Sequence, residues 1–246
     1  MLIEKILKRL QPDVGLNNHI IRERWLQKTL LSLPEGSRIL DAGAGTQRYK
    51  KFCNHLNYFS QDFGKYDGKG NNTGIQINNF NYGKLDIISD ITSIPENDSS
   101  FDAIMCIEVL EHLPEPSKAI KEFSRLLKPD GHLIITAPFC SITHFSPYHF
   151  CSGFNKYWYE RFLTQNGLSI TELKENGNFF EFLGQEINRI PYVSKRYSNS
   201  PPSILDKLCI YFLLRKLAKW SKKDNGSNSL LCYGFNIHAI KQKHKI

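Results

Sequence analysis

Continuous apolar runs alternate along this chain with stretches whose apolar positions recur at helical spacing. The runs predict strands at 38–41, 56–60, 85–88, 101–107, 132–137 and 168–173, and a last strand at 231–240. The helical spacing predicts helices at 2–10, 20–33, 46–55, 116–127, 155–165, 178–189 and 204–222. Apolar strands separated by helices are typical of a parallel sheet that is covered on both faces.

Breaks in this pattern indicate how the chain is organised. We expect one domain over residues 1–246, because 246 residues with 41% hydrophobic content can bury one sizeable core. Its predicted parts are N-terminal helices (1–35), a binding core (36–175), a helical cap or insertion (176–230) and a last strand with a tail (231–246). Pro129-Asp130-Gly131 predicts a turn, and a Ser/Pro/Asn-rich break is predicted over 192–203.

A glycine turn follows the first predicted strand, where Gly43 and Gly45 come directly after Asp41 and Ala42. Glycines in this place let a ligand approach the backbone, and the next helix presents N–H groups to it. A dinucleotide-binding turn has a third small residue three positions after Gly45, and this chain has Arg48 there. The turn therefore favours a ligand other than a dinucleotide.

Acidic residues end the first three predicted strands, at Asp41, Asp62 and Asp90. A carboxylate beside the glycine turn would repel a pyrophosphate, whereas it suits a ligand that carries a cation. Asp62 is placed to accept hydrogen bonds from two ribose hydroxyls, and Asp90 from an adenine amino group. The three acids predict a crevice for a nucleoside with a positive charge.

Five segments follow one another over residues 38–138: ILDAGAGT, FSQDF, SDITSIPENDSSFDAI, CIEVLEHLPEP and EFSRLLKPDGHLIITAP. In this order and spacing they resemble the class I S-adenosylmethionine-dependent methyltransferases, in the small-molecule, type 11-like branch. The resemblance implies an α/β fold with a Rossmann-like, doubly wound sheet of seven strands, mostly parallel, whose last strand is antiparallel. It also implies S-adenosylmethionine as the cofactor. The helical spacing adds to this fold a helical N-terminal extension and a helical insertion before the last strand.

The resemblance assigns residues to the parts of this cofactor. Asp41 and the glycine turn would hold the methionine side, and Asp62 the ribose, with Phe63 against the adenine. The adenine edge and the opposite wall would come from Asp90, Ile91 and the stretch Cys106 to Glu108. The predicted cofactor-binding residues are Asp41, Gly43, Gly45, Thr46, Arg48, Asp62, Phe63, Asp90, Ile91, Cys106 and Glu108.

Two features depart from the family pattern. Gln47 and Arg48 stand where many relatives have a small residue, so Arg48 either contacts the cofactor carboxylate or is solvated. Residues 64–84 form a long loop rich in Gly, Asn and Tyr in place of the usual short helix.

Methyl transfer from a sulfonium requires alignment and, for some acceptors, a general base. Candidate bases lie after the fourth and fifth strands, where Glu111-His112 and the His-rich loop 139–153 follow them. A neutral histidine suits this task, and we predict His149, with His144 second, as the catalytic residue. The alternative is that these histidines pack or cap, and that alignment alone drives transfer.

The same loop contains Cys140, His144, His149 and Cys151, which are metal-ligand residue types. Their spacing matches no standard zinc pattern, and an apolar loop beside an active site explains them equally well. We therefore predict no metal.

The net charge of +8 is concentrated in the tail, since residues 191–246 carry +9 and residues 1–190 carry −1. A neutral main body argues against a nucleic-acid partner. Helix 204–222 has a wide apolar face that includes Leu205, Phe212, Leu213 and Trp220. It either packs as a cap with a solvated basic side or makes peripheral contact with an anionic membrane.

The chain shows no apolar run long enough to span a membrane and no signal-peptide pattern, and its six cysteines show no short pairing pattern. We expect a cytoplasmic protein with free thiols. The predicted function is S-adenosylmethionine-dependent methyl transfer to a small-molecule or glycan- or lipid-linked acceptor. The alternative is a catalytically inactive binding or scaffold protein with the same fold.

Overall fold

The computed structural model describes residues 9–243. Most of the helix predicted over 2–10 lies outside these residues. The chain divides into two compact units: a sheet unit of residues 24–174 with 234–243, and a helical unit of residues 9–23 with 175–233. The single-domain organisation expected from the sequence stays a prediction.

Seven strands form one sheet in the order β3-β2-β1-β4-β5-β7-β6. They are β1 (Arg38–Ala42), β2 (Asn57–Asp62), β3 (Ile87–Ile88), β4 (Phe101–Ile107), β5 (Leu127–Pro138), β6 (Leu168–Asn176) and β7 (Gly234–Lys241). Strands β1 to β5 pair in parallel, and β7 pairs antiparallel with β5. The predicted Rossmann-like sheet with an antiparallel last strand is confirmed.

The strand order reverses between β1 and β4, which are neighbours although β2 and β3 lie between them in the chain. Crossovers on both sides of such a switch point leave a crevice at the carboxyl ends of the strands. Both strands are almost wholly buried, and Ile39, Ala103 and Met105 pack with Leu26 and Leu30 in one core cluster. The crevice therefore stands on a rigid, desolvated base.

Within residues 9–243 the structure gives the full bounds of five helices: α1 (Asn18–Leu31), α2 (Pro116–Leu126), α3 (Lys156–Gln165), α4 (Phe179–Tyr197) and α5 (Ile204–Ser221). Three short 3₁₀ turns occupy Lys50–Phe52, Leu110–His112 and Ser227–Ser229. Helix α2 begins with Pro116 and buries Ile120 and Phe123 at helical spacing. Helix α3 begins where the side chain of Asn155 accepts a hydrogen bond from the Trp158 N–H.

The helix predicted over 46–55 is wrong, because this stretch has only the 3₁₀ turn at Lys50–Phe52. Gln47 lies in the left-handed region at φ 55°, which interrupts a helix. Its side-chain amide donates to the carbonyl oxygens of Tyr82 (2.9 Å) and Lys84 (2.8 Å). A long-range contact therefore replaces the local helical bonds.

Two breaks that the sequence predicted between regular elements also differ from the structure. Pro129-Asp130-Gly131 lies inside β5, where Asp130 has φ 63° and the register with β4 shifts between Phe101 and Ala103. The predicted turn is thus an irregularity within the strand. The break expected at 192–203 begins later, because α4 continues through Pro191 to Tyr197. Proline removes only one backbone donor, and the rest of the helix remains bonded.

The helical unit contains a small core of its own. Leu214 and Leu217 of α5 pack with Val14 and with partly buried residues of α4, including Leu183 and Ile187. Ser203 and Asp206 cap the start of α5 reciprocally.

Most of the apolar side chains predicted to form the packed face of α5 are exposed. Leu205, Phe212 and Trp220 are 66%, 60% and 47% exposed, and Leu213 is also exposed. The stripe with Leu214 and Leu217, which also holds the partly buried Ile210, makes the contact instead. A charge introduced at Leu213 is therefore not expected to disrupt a buried stripe.

Candidate active site

The glycine turn lies at the carboxyl end of β1, at the switch point of the sheet. The N–H groups of Gly43 and Ala44 both donate to the carbonyl oxygen of Gln61, at 2.9 and 2.8 Å. Gly43 has φ 76°, and a Cβ there would lie 2.6 Å from both methyl carbons of Val109. Gly45 has φ 50°, and its Cβ would lie 3.2 Å from the Phe80 ring. The turn is a backbone cradle that excludes side chains.

Asp41 is buried immediately before this turn. Its Oδ2 accepts a hydrogen bond of 2.6 Å from the Tyr58 hydroxyl. Burial raises the pKa of Asp41 to about 7; the bond from Tyr58 opposes this, and the charge of Asp62 adds to it. A buried carboxyl group whose ionisation is disfavoured by burial and by a second carboxylate is suited to a ligand that brings a positive charge.

Asp62 ties the end of β2 to the turn. Its Oδ2 accepts from the Gly45 N–H at 2.9 Å, and its Oδ1 accepts from the Gly64 N–H at 3.1 Å. Burial raises the pKa of Asp62, and these backbone donors oppose the rise. A carboxylate oxygen can accept a second hydrogen bond, so the side chain retains capacity for a pair of ligand hydroxyls.

The residues predicted for the adenine edge lie beyond β3. Asp90 is exposed, and bonds from the Thr92 N–H (2.8 Å) and hydroxyl (2.7 Å) to its Oδ1 lower its pKa. Ile91 beside it is buried. The local turn at Thr92 therefore fixes an ionised carboxylate next to an apolar side chain.

The predicted opposite wall is the end of β4. Cys106 is fully buried, and burial raises the pKa of its thiol. Glu108 has φ 55° and accepts a hydrogen bond of 2.9 Å from the Thr136 hydroxyl. The chain turns sharply here, and the turn brings Val109 against Gly43.

Three other residues predicted to bind the cofactor differ in their contacts and exposure. The Phe63 ring meets the Tyr148 ring edge-on, with centroids 5.0 Å apart. Thr46 and Arg48 are exposed, and the Arg48 guanidinium lies 5.8 Å from the centroid of the Tyr49 ring. Both residues follow directly on the glycine turn, at the carboxyl end of β1.

Residues 64–84, which we name the strap, cover the glycine turn with aromatic side chains that the sequence analysis missed. Phe80 lies on Gly45 and packs against Tyr66 and Tyr82, with ring centroids 5.2 and 4.9 Å away. The Tyr66 N–H donates to the Tyr82 hydroxyl at 2.9 Å. The signal in the sequence was the set of aromatic residues within an otherwise polar loop.

The strap is bound to loop 139–153. Ile75 donates to the Thr143 carbonyl at 3.0 Å and accepts from the Phe145 N–H at 2.9 Å. The approach is so close that a Cβ on Gly74 would lie 2.4 Å from the Thr143 carbonyl oxygen. Phe145 also stacks on Tyr66, at 4.8 Å. Strap and loop therefore form one wall.

Three histidines converge under this wall. The ring centroids of His144 and His112 are 4.7 Å apart, and those of His144 and His149 are 4.8 Å apart. His149 Nε2 lies 3.1 Å from the Ser141 hydroxyl. The buried carboxylate of Glu111 lies 3.8 Å from His112 Nε2 and 3.9 Å from His144 Nε2. The structure thus groups both predicted catalytic residues with the Glu111-His112 pair.

The burial of these rings determines their protonation. Burial lowers the pKa of His112 to about 3, and the neighbouring His144 lowers it further. Burial also lowers the pKa of His149, again with a contribution from His144. Both rings are therefore neutral near pH 7, which is the form that can accept a proton.

Comparison with known proteins places this site in a family. The model of a methyltransferase domain matches residues 18–180. The ubiquinone biosynthesis O-methyltransferase of Marinobacter nauticus is 35% identical over 49 residues, which are 20% of this chain and 21% of that protein. Its counterpart from Alkalilimnicola ehrlichii is 50% identical over 36 residues, 15% of each chain. The matched stretches thus span about a fifth or less of these relatives.

Solved structures share the fold at low sequence identity. A protein proposed to be a sarcosine dimethylglycine methyltransferase, from Galdieria sulphuraria, has a TM-score of 0.54 at 16% identity, over 89% of this chain and 85% of its own. The [4+2]-cyclase SpnF has a TM-score of 0.53 at 16% identity, over 89% and 80%. Geranyl diphosphate methyltransferase in complex with S-adenosylmethionine has a TM-score of 0.51 at 12% identity, over 90% and 84%.

The described residues fit the cofactor of this family. The glycine cradle excludes side chains, and the buried acids Asp41 and Asp62 suit a ligand with a cation and ribose hydroxyls. The matched segment includes more than half of the chain. This protein belongs to the class I S-adenosylmethionine-dependent methyltransferases.

Proposed function

We propose that this protein transfers a methyl group from S-adenosylmethionine to a small-molecule or glycan- or lipid-linked acceptor. The observation that carries the proposal is the bond from the Gly45 N–H to the buried carboxylate of Asp62. It joins the backbone cradle to the acid at the next strand end, so two parts of a nucleoside site hold each other in position.

Each predicted cofactor residue has a part in this proposal. Asp41 and the turn at Gly43 and Gly45 take the methionine end, whose charge favours an ionised Asp41. Asp62 accepts from the ribose hydroxyls. Remaining contacts are assigned to Thr46, Arg48, Phe63, Asp90, Ile91, Cys106 and Glu108.

When bound, S-adenosylmethionine supplies a methyl group on a positively charged sulfur that leaves as a neutral thioether. The chain has to align the acceptor and exclude water, and the strap and loop 139–153 form the wall that does this. In the transfer, the acceptor's lone pair would form the new bond to carbon as the carbon–sulfur electron pair passed to sulfur. The acceptor's proton passes to a base.

We assign the base to His149, with His144 as the second candidate. His149 is half-buried and neutral, and the Ser141 hydroxyl 3.1 Å from its Nε2 holds the ring orientation. Because a neutral imidazole carries no charge before the transfer, it can accept a proton in a partly desolvated site.

The names of related proteins support the proposed acceptor class. One relative acts in ubiquinone biosynthesis, and structural neighbours are named for sarcosine or dimethylglycine and for geranyl diphosphate. These are small or lipid-like acceptors. The cyclase with the same fold, SpnF, keeps open the alternative that this chain binds the cofactor without methylating anything.

Calorimetry followed by a transfer assay separates these alternatives. We expect one site for S-adenosylmethionine and for its demethylated product, with about micromolar affinity. Transfer of a labelled methyl group to hydroxylated aromatic, prenylated or amine acceptors would support the enzyme. Tight cofactor binding without transfer to any acceptor would support the scaffold, and no binding would contradict both.

We further propose that the exposed stripe of α5 contacts an anionic membrane surface. Leu205, Phe212 and Trp220 lie on the solvent face together with Lys216 and Lys219. Aromatic and aliphatic side chains beside lysines are the composition of helices that lie in the membrane interface. No helix within residues 9–243 is long and apolar enough to cross a membrane. The predicted cytoplasmic location is retained as part of this proposal.

Vesicle flotation tests the contact. Wild-type protein should bind anionic vesicles at low salt and lose most of this binding at high salt or on neutral lipid, because each basic residue near the surface contributes about 1 kcal/mol. Leu213→Asp should fold normally and bind less. Lys121→Ala, an exposed change in the sheet unit that lowers the net charge by the same one unit, is the control. Equal binding by the two variants would contradict the proposal.

A further inference from the structure

Three metal-ligand side chains meet at the carboxyl end of β4 and in the loop after β5. One carboxylate oxygen of Glu111 and one ring nitrogen each of His112 and His144 all lie within 4.8 Å of one another. The Glu111 side chain is 1% exposed, and those of His112 and His144 are 14% and 23% exposed. The donors are thus enclosed on one side and reachable on the other.

The hydrogen bonds of the two rings fix their tautomers. His112 Nδ1 lies 2.5 Å from the Tyr148 carbonyl oxygen, and His144 Nδ1 lies 2.9 Å from the Ile142 carbonyl oxygen. A carbonyl oxygen can only accept, so each Nδ1 carries the proton. In the neutral form each Nε2 then presents its lone pair, and these are the two atoms that face Glu111 Oε1.

This arrangement is the one that metal-binding histidines adopt. Such a histidine donates its second ring N–H to a carbonyl or carboxylate, which sets its orientation and strengthens the ligand nitrogen. The separations of 3.8 and 3.9 Å between Oε1 and the two Nε2 atoms are too long for hydrogen bonds. The ligand atoms of a tetrahedral zinc ion are about 3.4 Å from one another. Side-chain shifts of about half an ångström would therefore bring each Nε2 and Oε1 to the separation that a shared zinc ion requires.

We propose that Glu111, His112 and His144 bind a divalent ion of the zinc type. Two histidines and one carboxylate leave at least one coordination position open, as in catalytic zinc sites. The ring centroids of His144 and His149 are 4.8 Å apart, so the proposed metal site lies near the proposed base. If the proposed function holds, the position takes an oxygen of the acceptor, and an acceptor with a hydroxyl or carboxylate is favoured.

The donor set also discriminates between ions. Imidazole suits zinc and the late first-row metals, whereas magnesium and calcium prefer oxygen ligands. The sequence spacing predicted no metal because it grouped His144 with Cys140, His149 and Cys151. The structure groups it with residues 32 and 33 positions earlier in the chain, and a local pattern does not contain that pairing.

Metal binding is measured on the full chain, stripped with a chelator and dialysed, without any acceptor. Titration with Zn²⁺ should show one site, and Co²⁺ should give the visible absorption of a nitrogen- and oxygen-ligated ion. Mg²⁺ should show no site. His144→Ala should weaken Zn²⁺ at least about 100-fold, as expected for loss of a ligand. His149→Ala, one ring further along the cluster, is the matched control and should keep the site.

Cofactor calorimetry on the same samples separates failure of this proposal from failure of the proposed function. Wild-type and His144→Ala should bind S-adenosylmethionine equally, which also shows that the variant is folded. Equal Zn²⁺ affinity in wild-type and His144→Ala, or no stoichiometric Zn²⁺ in the wild type, would overturn the metal site. Glu111→Gln should also lose Zn²⁺ binding, and its thermal unfolding is measured in parallel to show that this variant is folded.

Discussion

The two sides of the crevice are built in different ways. The cofactor side consists of strand ends and one tight turn, where Asp41, Gly43 and Asp62 are neighbours through strand pairing. The acceptor side consists of two loops, the strap and residues 139–153, held together by backbone bonds at Ile75. The cofactor side is therefore specified by local motifs, and the acceptor side by contacts between distant segments.

This difference predicts that mutations on the two sides have separable effects. The largest is expected on the acceptor side, at the proposed base. His149→Ala should lower kcat about 100-fold or more with cofactor affinity unchanged, which is the range of general-base catalysis. Steady-state kinetics beside calorimetry measures both. Full activity of His149→Ala and His144→Ala would show the loop to be structural and transfer to depend on alignment alone.

The pH profile tests the same residue. The pKa of His149 is lowered by burial, so the neutral base persists below pH 6.5 and is lost only as pH falls through the lowered pKa. With S-adenosylmethionine saturating, so that Asp41 is already ionised, the acidic limb of kcat/KM for the acceptor should therefore lie below 6.5 and vanish in His149→Ala. A limb well above 6.5 would assign it to another group.

On the cofactor side, Asp41 is expected to couple folding and binding to protons. The folded-state pKa of about 7 exceeds the ordinary value of 3.8, so the folded state holds the extra proton between these values. The unfolding free energy should fall as pH rises through this window, by on the order of 3 to 4 kcal/mol relative to Asp41→Asn. Denaturant unfolding of both proteins at pH 4 and pH 8 measures it.

The same carboxyl group should release a proton when a cationic ligand binds. At pH 6, calorimetry in two buffers of different ionisation heat should show release of about one proton on binding of S-adenosylmethionine. Asp41→Asn should release none. A wild-type binding heat that does not depend on the buffer would contradict the role of Asp41.

Asp62→Ala should weaken S-adenosylmethionine binding by about 1–3 kcal/mol, since charge-assisted bonds to the ribose are lost. Asp13→Ala, at an exposed position, is the control for loss of one carboxylate. A folded Asp62→Ala variant with wild-type affinity would refute this assignment.

The smallest effect is expected where the strap meets the acceptor loop. Gly74 and Gly83 both have positive φ, so alanine strains both, but only at Gly74 would the Cβ meet a backbone atom, 2.4 Å away. Gly74→Ala should raise the acceptor KM about tenfold more than Gly83→Ala, a difference of about 1.4 kcal/mol. Equal effects of the two variants would indicate that the strap does not shape the acceptor site.

The positions of the strand ends were predicted well from the sequence, because they depend on local motifs like those on the cofactor side of the crevice. A buried strand followed by glycine or aspartate is a local signal, and the strand order and antiparallel β7 came from the family resemblance. The helix expected over 46–55 was wrong because Gln47 bonds to a strap that lies 35 residues away. The convergence of Glu111 with His144 and the exposed stripe at Phe212 likewise depend on tertiary packing.

A crystal structure with the demethylated product, S-adenosylhomocysteine, tests the central claim most directly. The account predicts both ribose hydroxyls within hydrogen-bond distance, about 2.5–3.2 Å, of the Asp62 carboxylate, and the methionine portion against Gly43 and Gly45. The sulfur should face the histidine cluster. A product bound elsewhere, or a ribose that does not contact Asp62, would contradict it.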